Sequence, residues 1–303
     1  MSATLPDLFY RNERLDPQHV DWMIDSTPLL QDMDSIRRRM NEDGYLYLPG
    51  YLGRERVLQA RRVLTDRLLK LGLLDPDHDP MAAVPSEKRD TFAGGHLFEL
   101  FDDPTPIHHV LYHGPMMQFF RAFLDAPVRH YDYTWMRQVG PGPATRIHSD
   151  VVYMGRGTHQ LYTAWTPMGD NGFDLGGLLV LAGSHHFDGF NKGYWHSDVD
   201  EFCANRVNGE RDAWGRRHGG SLNATAGQLQ KNIGGKWVTS DYRAGDVVIF
   251  NVYTVHGGTD NRSNVLRLST DTRYQRAADP IDERWIGLHP VGHGPAGKRG
   301  KIC

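Results

Sequence analysis

Apolar and polar positions along this chain follow two different periods, and the change falls near residue 128. Before it, apolar residues at 57, 58, 64, 68 and 71 recur at helical spacing and predict a helix over 54–71, ending at Gly72. Shorter helices are predicted over 34–42, stopping at Gly44, and over 106–124, interrupted at Gly114-Pro115. Tyr45-Leu46-Tyr47-Leu48 has the texture of a short strand, closed by Pro49-Gly50. Residues 1–30 are polar, with prolines at 6, 17 and 28, and are expected to form an arm or short helices; 75–95 is expected to be a loop. Beyond 128 come short β-type runs at 128–139, 146–154, 161–165, 177–181, 246–256 and 265–274, parted by Gly- and Pro-containing turns. Short strands in series predict a sandwich or barrel. Residues 185–237, with Trp195, Trp214 and Trp237, interrupt the series. A segment of that length suits an active-site lid or specificity insertion, or a surface excursion held by its own tryptophans.

The expected organisation is one domain over 1–303: a mostly helical part at 1–127, a β core at 128–275 carrying the insertion, and a tail at 276–303. Lys+Arg 34 against Asp+Glu 37 leaves a net charge of −3, which gives no basic surplus for a nucleic-acid binder. No apolar run approaches the ~20 residues of a membrane helix, and the first residues lack a secretory pattern. The two cysteines, Cys203 and Cys303, cannot build a disulfide scaffold or a Cys-based zinc site. These features predict a soluble, cytoplasmic, globular protein with no nucleic-acid or membrane partner.

Histidine is abundant, at 16 residues, and directs attention to metal chemistry. His-x-Asp on a strand puts an imidazole and a carboxylate on one face. A third histidine would complete a 2-His-1-carboxylate set that leaves coordination positions open, as in non-haem Fe(II) oxygenases. Four such pairs occur: His19/Asp21, His148/Asp150, His186/Asp188 and His196/Asp198. About one is expected by chance, so most are incidental. Only His148-Ser149-Asp150 runs directly into a β-type run, Val151-Val152-Tyr153-Met154. His256 ends the 246–256 run, with Val248, Phe250, Val252 and Thr254 expected on its face. Eleven residues on, Arg267 and Ser269 share a strand face that a hairpin would set beside His256. Arginine and serine there suit a carboxylate; pairing of Arg267 with Asp271 is the alternative.

With these residues in this order, the chain resembles the Fe(II)/2-oxoglutarate-dependent oxygenases, and within them the phytanoyl-CoA dioxygenase family. The resemblance runs over about residues 36–275. It includes Asp43-Gly44-Tyr45-Leu46-Tyr47-Leu48-Pro49-Gly50, Tyr162-Thr163-Ala164-Trp165-Thr166-Pro167-Met168, the segment 176–185 and Ala244-Gly245-Asp246. It implies a mainly β fold, a double-stranded β-helix (jelly-roll, cupin-like) core with packed helices. It implies Fe(II) on His148, Asp150 and His256, and 2-oxoglutarate on Arg267 with Ser269. Met136 and Trp165 would line the cosubstrate, with Gln138 on the face of Met136. The implied reaction uses O2, releases succinate and CO2, and oxidises a small organic metabolite. Related halogenases replace the carboxylate ligand with a small residue, so Asp150 points to hydroxylation-type outcomes, with desaturation, cyclisation and demethylation as the open alternatives. Tyr153, His159, Phe173, Trp195, Trp214 and the arginines 156, 206, 211, 216 and 217 are candidates for the mouth. Two other readings accommodate the histidines: a cupin-like metalloenzyme without 2-oxoglutarate, and a non-catalytic jelly-roll binding protein.

Overall fold

The computed structural model describes residues 4–87, 105–203, 220–293 and 295–301. The candidate mouth residues Arg206, Arg211, Trp214, Arg216 and Arg217 lie outside the described residues. The helical elements are α1 (Met33–Asp43), α2 (Arg54–Lys70), α3 (Pro106–Leu111), α4 (Gly114–Leu124), the single turn α5 (Val151–Met154) and α6 (Ala226–Ile233). The strands of the N-terminal part are β1 (Phe9–Tyr10), β2 (Glu13–Arg14), β3 (Val20–Trp22) and β4 (Tyr45–Leu48). Those that follow are β5 (Val128–His130), β6 (Trp135–Val139), β7 (Tyr162–Pro167), β8 (Leu178–Leu181) and β9 (Glu201–Cys203). The last are β10 (Trp237–Thr239), β11 (Val247–Asn251), β12 (His256–Gly258), β13 (Arg267–Arg276) and β14 (Arg299–Lys301).

Two sheets carry the core. The larger runs β4-β11-β7-β13-β5, with β6 also on β13; the smaller runs β12-β8-β10-β3. Period-2 patterning explains how they stack. Tyr45 and Tyr47, Val248 and Phe250, and Trp165 leave the larger sheet on one face and pack with Leu178, Val180 and Val238 of the smaller one. Leu46, Leu48, Val247, Ile249 and Leu268 leave it on the other face and pack with α1–α4. Both faces are therefore covered, which is why β4 and β11 are apolar at nearly every position.

Local chemistry sets the helix ends. Asp32 caps α1, its side chain accepting the N–H groups of Asp34 and Ser35. Gly44 closes it at φ +77°. A Cβ on Gly44 would lie 2.5 Å from His185 Nδ1, so this tight turn into β4 also needs glycine for room.

Five expectations are corrected. Residues 1–30 are more than an arm with short helices, because β3 pairs parallel with β10 in the smaller sheet. Residues 146–154 are not one strand, since Val151–Met154 turns helical. The run 246–256 is two strands, β11 in the larger sheet and β12 in the smaller. Arg267 and His256 are consequently on different sheets and do not form a hairpin. The segment 185–237 is not merely inserted either, because its last residue, Trp237, opens a central strand of the smaller sheet.

Candidate metal centre

His148 and His256 are tied to each other by their backbones. Each N–H donates to the other's carbonyl at 2.9 Å, which brings the two imidazoles to a centroid separation of 4.4 Å. The chain reaches this pairing because β11 ends at Asn251. Residues 252–255 then step across the sandwich, Val151 N–H bonding Val252 O on the way. The α5 turn starts at Asp150, whose side chain makes no capping bond and is left to point at the histidines.

The side chains of His148, Asp150 and His256 place one ligand atom each within 4.8 Å of one another, and all three residues are buried. Among the described residues no other group of three His, Cys, Asp or Glu side chains does so. His148 Nδ1–H donates to Arg146 O at 2.8 Å, and His256 Nδ1–H to Thr254 O at 3.0 Å. Those bonds fix the tautomer and leave both Nε2 atoms toward Asp150, 3.7 and 3.8 Å from Oδ1. The other carboxylate oxygen, Oδ2, is committed. It accepts from Thr163 Oγ1 at 2.5 Å and from Arg273 Nη2 at 2.9 Å.

Electrostatics match this division. Burial, and then the neighbouring His256, bring His148 down to about 3, so its ring is neutral at neutral pH. Burial lowers His256 as well. Burial works to raise Asp150, but Arg273, the two imidazoles and Thr163 outweigh it and hold the carboxyl below its usual range. Two neutral imidazoles and one ionised carboxylate are the protonation state a divalent metal needs.

Across the sandwich, Arg267 is 4% exposed, and its Nε and Nη1 have no partner among the described residues; Ser269 Oγ is also buried without one there. The guanidinium lies against β12, where a Cβ on Gly258 would be 3.4 Å from Nη1. Asp271 does not pair with Arg267, because Arg137 Nε already donates to it at 2.7 Å. Burial pushes the Arg267 guanidinium down to about 10, still charged at neutral pH. Trp165 sits opposite Asp271 in the β7–β13 register and so shares the inner face, packed on Tyr242.

Met136 and Gln138 are corrected. In the β6–β13 register they stand opposite Thr270 and Leu268, on the face away from Arg267, and Met136 packs into the core beneath the helices. The residues of β6 that share Arg267's face are Trp135, Arg137 and Val139. Of the mouth candidates, Tyr153 lines the cavity over the metal centre. Trp195 is buried behind it, donating to Ser149 Oγ at 3.4 Å. Arg156 is bound to Asp198, His159 lies out beside Tyr253, and Phe173 packs on Trp22.

Sequence reasoning missed Thr163, Arg273 and Tyr194. The first two were accessible, because Thr163 is two residues before Trp165 and Arg273 six after Arg267, on the same strand faces. Tyr194 carried no such signal; its hydroxyl accepts Ser149 N–H at 2.9 Å and donates to Gly220 O at 2.8 Å.

Residues 40–269 match the sequence profile of the Phytanoyl-CoA dioxygenase (PhyH) family. The 1-deoxypentalenic acid 11-beta-hydroxylase of Streptomyces exfoliatus is 28% identical over 268 residues, covering 84% of this chain and 85% of that protein. Among solved structures, EctD from S. alaskensis with 2-oxoglutarate and 5-hydroxyectoine aligns at TM-score 0.57 and 16% identity, over 97% of this chain and 92% of that one. SnoN, a non-heme alpha ketoglutarate dependent epimerase from nogalamycin biosynthesis, aligns at TM-score 0.56 and 18% identity, over 86% of this chain and 92% of that one. At such identities the structural likeness speaks for the fold.

Proposed function

The chain belongs to the phytanoyl-CoA dioxygenase family, and from that premise we propose an Fe(II)- and 2-oxoglutarate-dependent dioxygenase that hydroxylates a small organic metabolite, with release of succinate and CO2. One observation carries the assignment of roles. A buried His–Asp–His set faces inward from one side of the sandwich, and on the other stands the buried Arg267, whose Nε and Nη1 have no partner among the described residues.

The residues fit both groups. His148 and His256 would hold the metal through Nε2 and Asp150 through Oδ1, the atoms left uncommitted by the surrounding hydrogen bonds. Arg267 and Ser269 would take the distal carboxylate of 2-oxoglutarate, which supplies acceptors for donors that are otherwise orphaned. When bound, iron with 2-oxoglutarate and O2 supplies the oxidising chemistry; the chain supplies orientation and a dry site. Arg273 and Thr163 keep Asp150 ionised and stop its carboxylate from turning. Trp165 and Tyr242 wall the inner face beside Arg267. No side chain is needed as general base. A cupin-like site without an oxo acid would leave the burial of Arg267 without compensation, so the oxygenase reading is the better supported. The hydroxylase relative acts on 1-deoxypentalenic acid, a small organic acid, and hydroxylation of a compound of that scale suits this site.

The test is an anaerobic titration of metal-free protein with Fe(II) and then 2-oxoglutarate. A weak visible charge-transfer band from the chelated oxo acid is expected. Arg267→Met should lose that band at limiting 2-oxoglutarate. Iron binding without any band in the wild type would instead favour a metalloenzyme that uses no oxo acid.

A further inference from the structure

The cavity above the metal centre holds about 220 Å³ and is lined by His148 and Asp150 at its floor and by Trp135, Arg137, Tyr153 and His293 around it. Its walls come from distant parts of the chain. Arg137 stands on β6, which among the described residues pairs with β13 alone, so it is at an edge of the larger sheet. His293 comes from the C-terminal tail, and its Nδ1–H donates to the buried Asp200 at 2.7 Å. Arg284 and Lys298 donate to the same carboxylate, and these bonds pin the tail as a fixed wall.

The cationic groups facing this cavity are not equivalent. Arg273 has spent Nη2 on Asp150, and the rest of its guanidinium, with Nε and Nη1 unpaired among the described residues, is buried under the Trp135 ring at 4.1 Å from its centroid. Arg146 is exposed at the rim. Arg137 has given only Nε, to Asp271 Oδ2 at 2.7 Å, and its two terminal nitrogens bond nothing among the described residues. A guanidinium held at Nε presents its two terminal N–H groups as a fork matched to a carboxylate. Asp271 fixes the fork before any ligand arrives, so little side-chain entropy is lost on binding. The only carboxylate in the lining, Asp150, is already committed to Thr163 and Arg273. The indole of Trp135 and the ring of Tyr153 offer apolar surface for a carbon skeleton.

Resting on the oxygenase reading above, we propose that Arg137 is the substrate-recognition residue of this enzyme. It binds a carboxylate carried by the small organic substrate, with Asp271 as its positioning residue. The substrate class is therefore an organic acid presenting its anion to Arg137 and its skeleton to Trp135 and Tyr153. Arg267 and Ser269 keep the cosubstrate, so the two anions occupy different arginines on one sheet face.

The experiment uses the anaerobic Fe(II)–2-oxoglutarate complex. Cyclohexanecarboxylate, 1-adamantanecarboxylate and their neutral amides are titrated by calorimetry, with the charge-transfer band followed in parallel. Wild type is expected to bind at least one acid on the order of tenfold more tightly than its amide, the scale of a bidentate ionic contact. The double variant Arg137→Gln/Asp271→Asn keeps a neutral pair in place of the ion pair. It should bind acid and amide alike, with amide affinity unchanged and the band retained. Arg137→Lys, which keeps charge without the fork, should fall between. Equal binding of acid and amide by wild type, failure of every acid to bind, or an acid preference that survives in the double variant would each overturn the proposal. So would loss of the band in the variants, which would assign Arg137 to the cosubstrate. A wild type that forms no band defeats the oxygenase reading instead, while the acid-to-amide comparison still judges Arg137.

Discussion

Arg267 is charged and buried, and its Nε and Nη1 have no partner among the described residues; that combination makes opposite predictions for stability and for binding. An unsatisfied buried donor costs about 1–3 kcal/mol, more when charged. Arg267→Met should therefore raise the unfolding midpoint of the ligand-free protein while removing the stabilisation that 2-oxoglutarate gives to the metal-loaded wild type. Thermal denaturation with and without 2-oxoglutarate reads both effects; a fall in the ligand-free midpoint would mean the guanidinium has a partner after all. Arg273 acts through another residue. It donates to the Asp150 oxygen that does not face the histidines, and removing it takes away one of the two donors on that oxygen and the largest of the effects that offset burial. Arg273→Met should weaken metal binding roughly 10–100-fold, the usual effect of losing a partner behind a ligand. Titration with Co(II) gives the affinity directly, and an unchanged value would remove Arg273 from the site.

At the scale of elements, the centre depends on two departures from regular structure. β11 stops at Asn251 so that the chain can cross to β12, and the 148–150 segment bends into the α5 turn. Asn251 secures the first, its side chain accepting the N–H groups of Tyr253 and Thr254. The second is braced from the 185–237 segment, whose Tyr194 hydroxyl bonds Ser149 N–H between the two ligands. Tyr194→Phe leaves that N–H and Gly220 O unpaired, at a cost of about 1–3 kcal/mol. The unfolding midpoint in urea should fall accordingly, and metal affinity should drop with it because the turn that sets the His148–Asp150 spacing loses its brace. A stability loss with full metal affinity would show that the turn holds its shape alone.

For the whole molecule, the buried histidines make metal-free stability depend on pH with a definite sign. His148 sits at about 3 in the fold, against roughly 6.5 for a free imidazole. Between those values the unfolded chain binds a proton that the folded chain refuses, so stability falls as pH falls through that window. His148 alone contributes a slope of up to about 1.4 kcal/mol per pH unit there. His256, lowered in the same direction, adds to it. Urea unfolding of the metal-free protein at pH 7.5, 6 and 5 should show the decline, and a flat profile would contradict the neutral, buried state of both rings. Among the described residues no helix is long and apolar enough to cross a membrane.

By itself the sequence determined what local periodicity and short-range sterics control. Helices α1 to α4 fall where their spacing, Gly44 and the Gly114-Pro115 break place them, because capping and apolar stripes act within a few residues. Chain order singled out His148, Asp150, His256 and Arg267, since only those histidines adjoin β-type runs with an arginine at the matching interval. Tertiary structure decided what depends on which face or which sheet a residue meets. Met136 and Gln138 turned away from Arg267 because the β6–β13 register puts them opposite Thr270 and Leu268, and in a strand a shift of one residue exchanges the two faces. Arg267 reaches the metal side across the sandwich, because the chain changes sheets at residues 252–255, a step no strand pattern announces. Tyr194 and Asp200 act at the site through contacts made only after distant segments pack, and their roles exist in the folded chain alone.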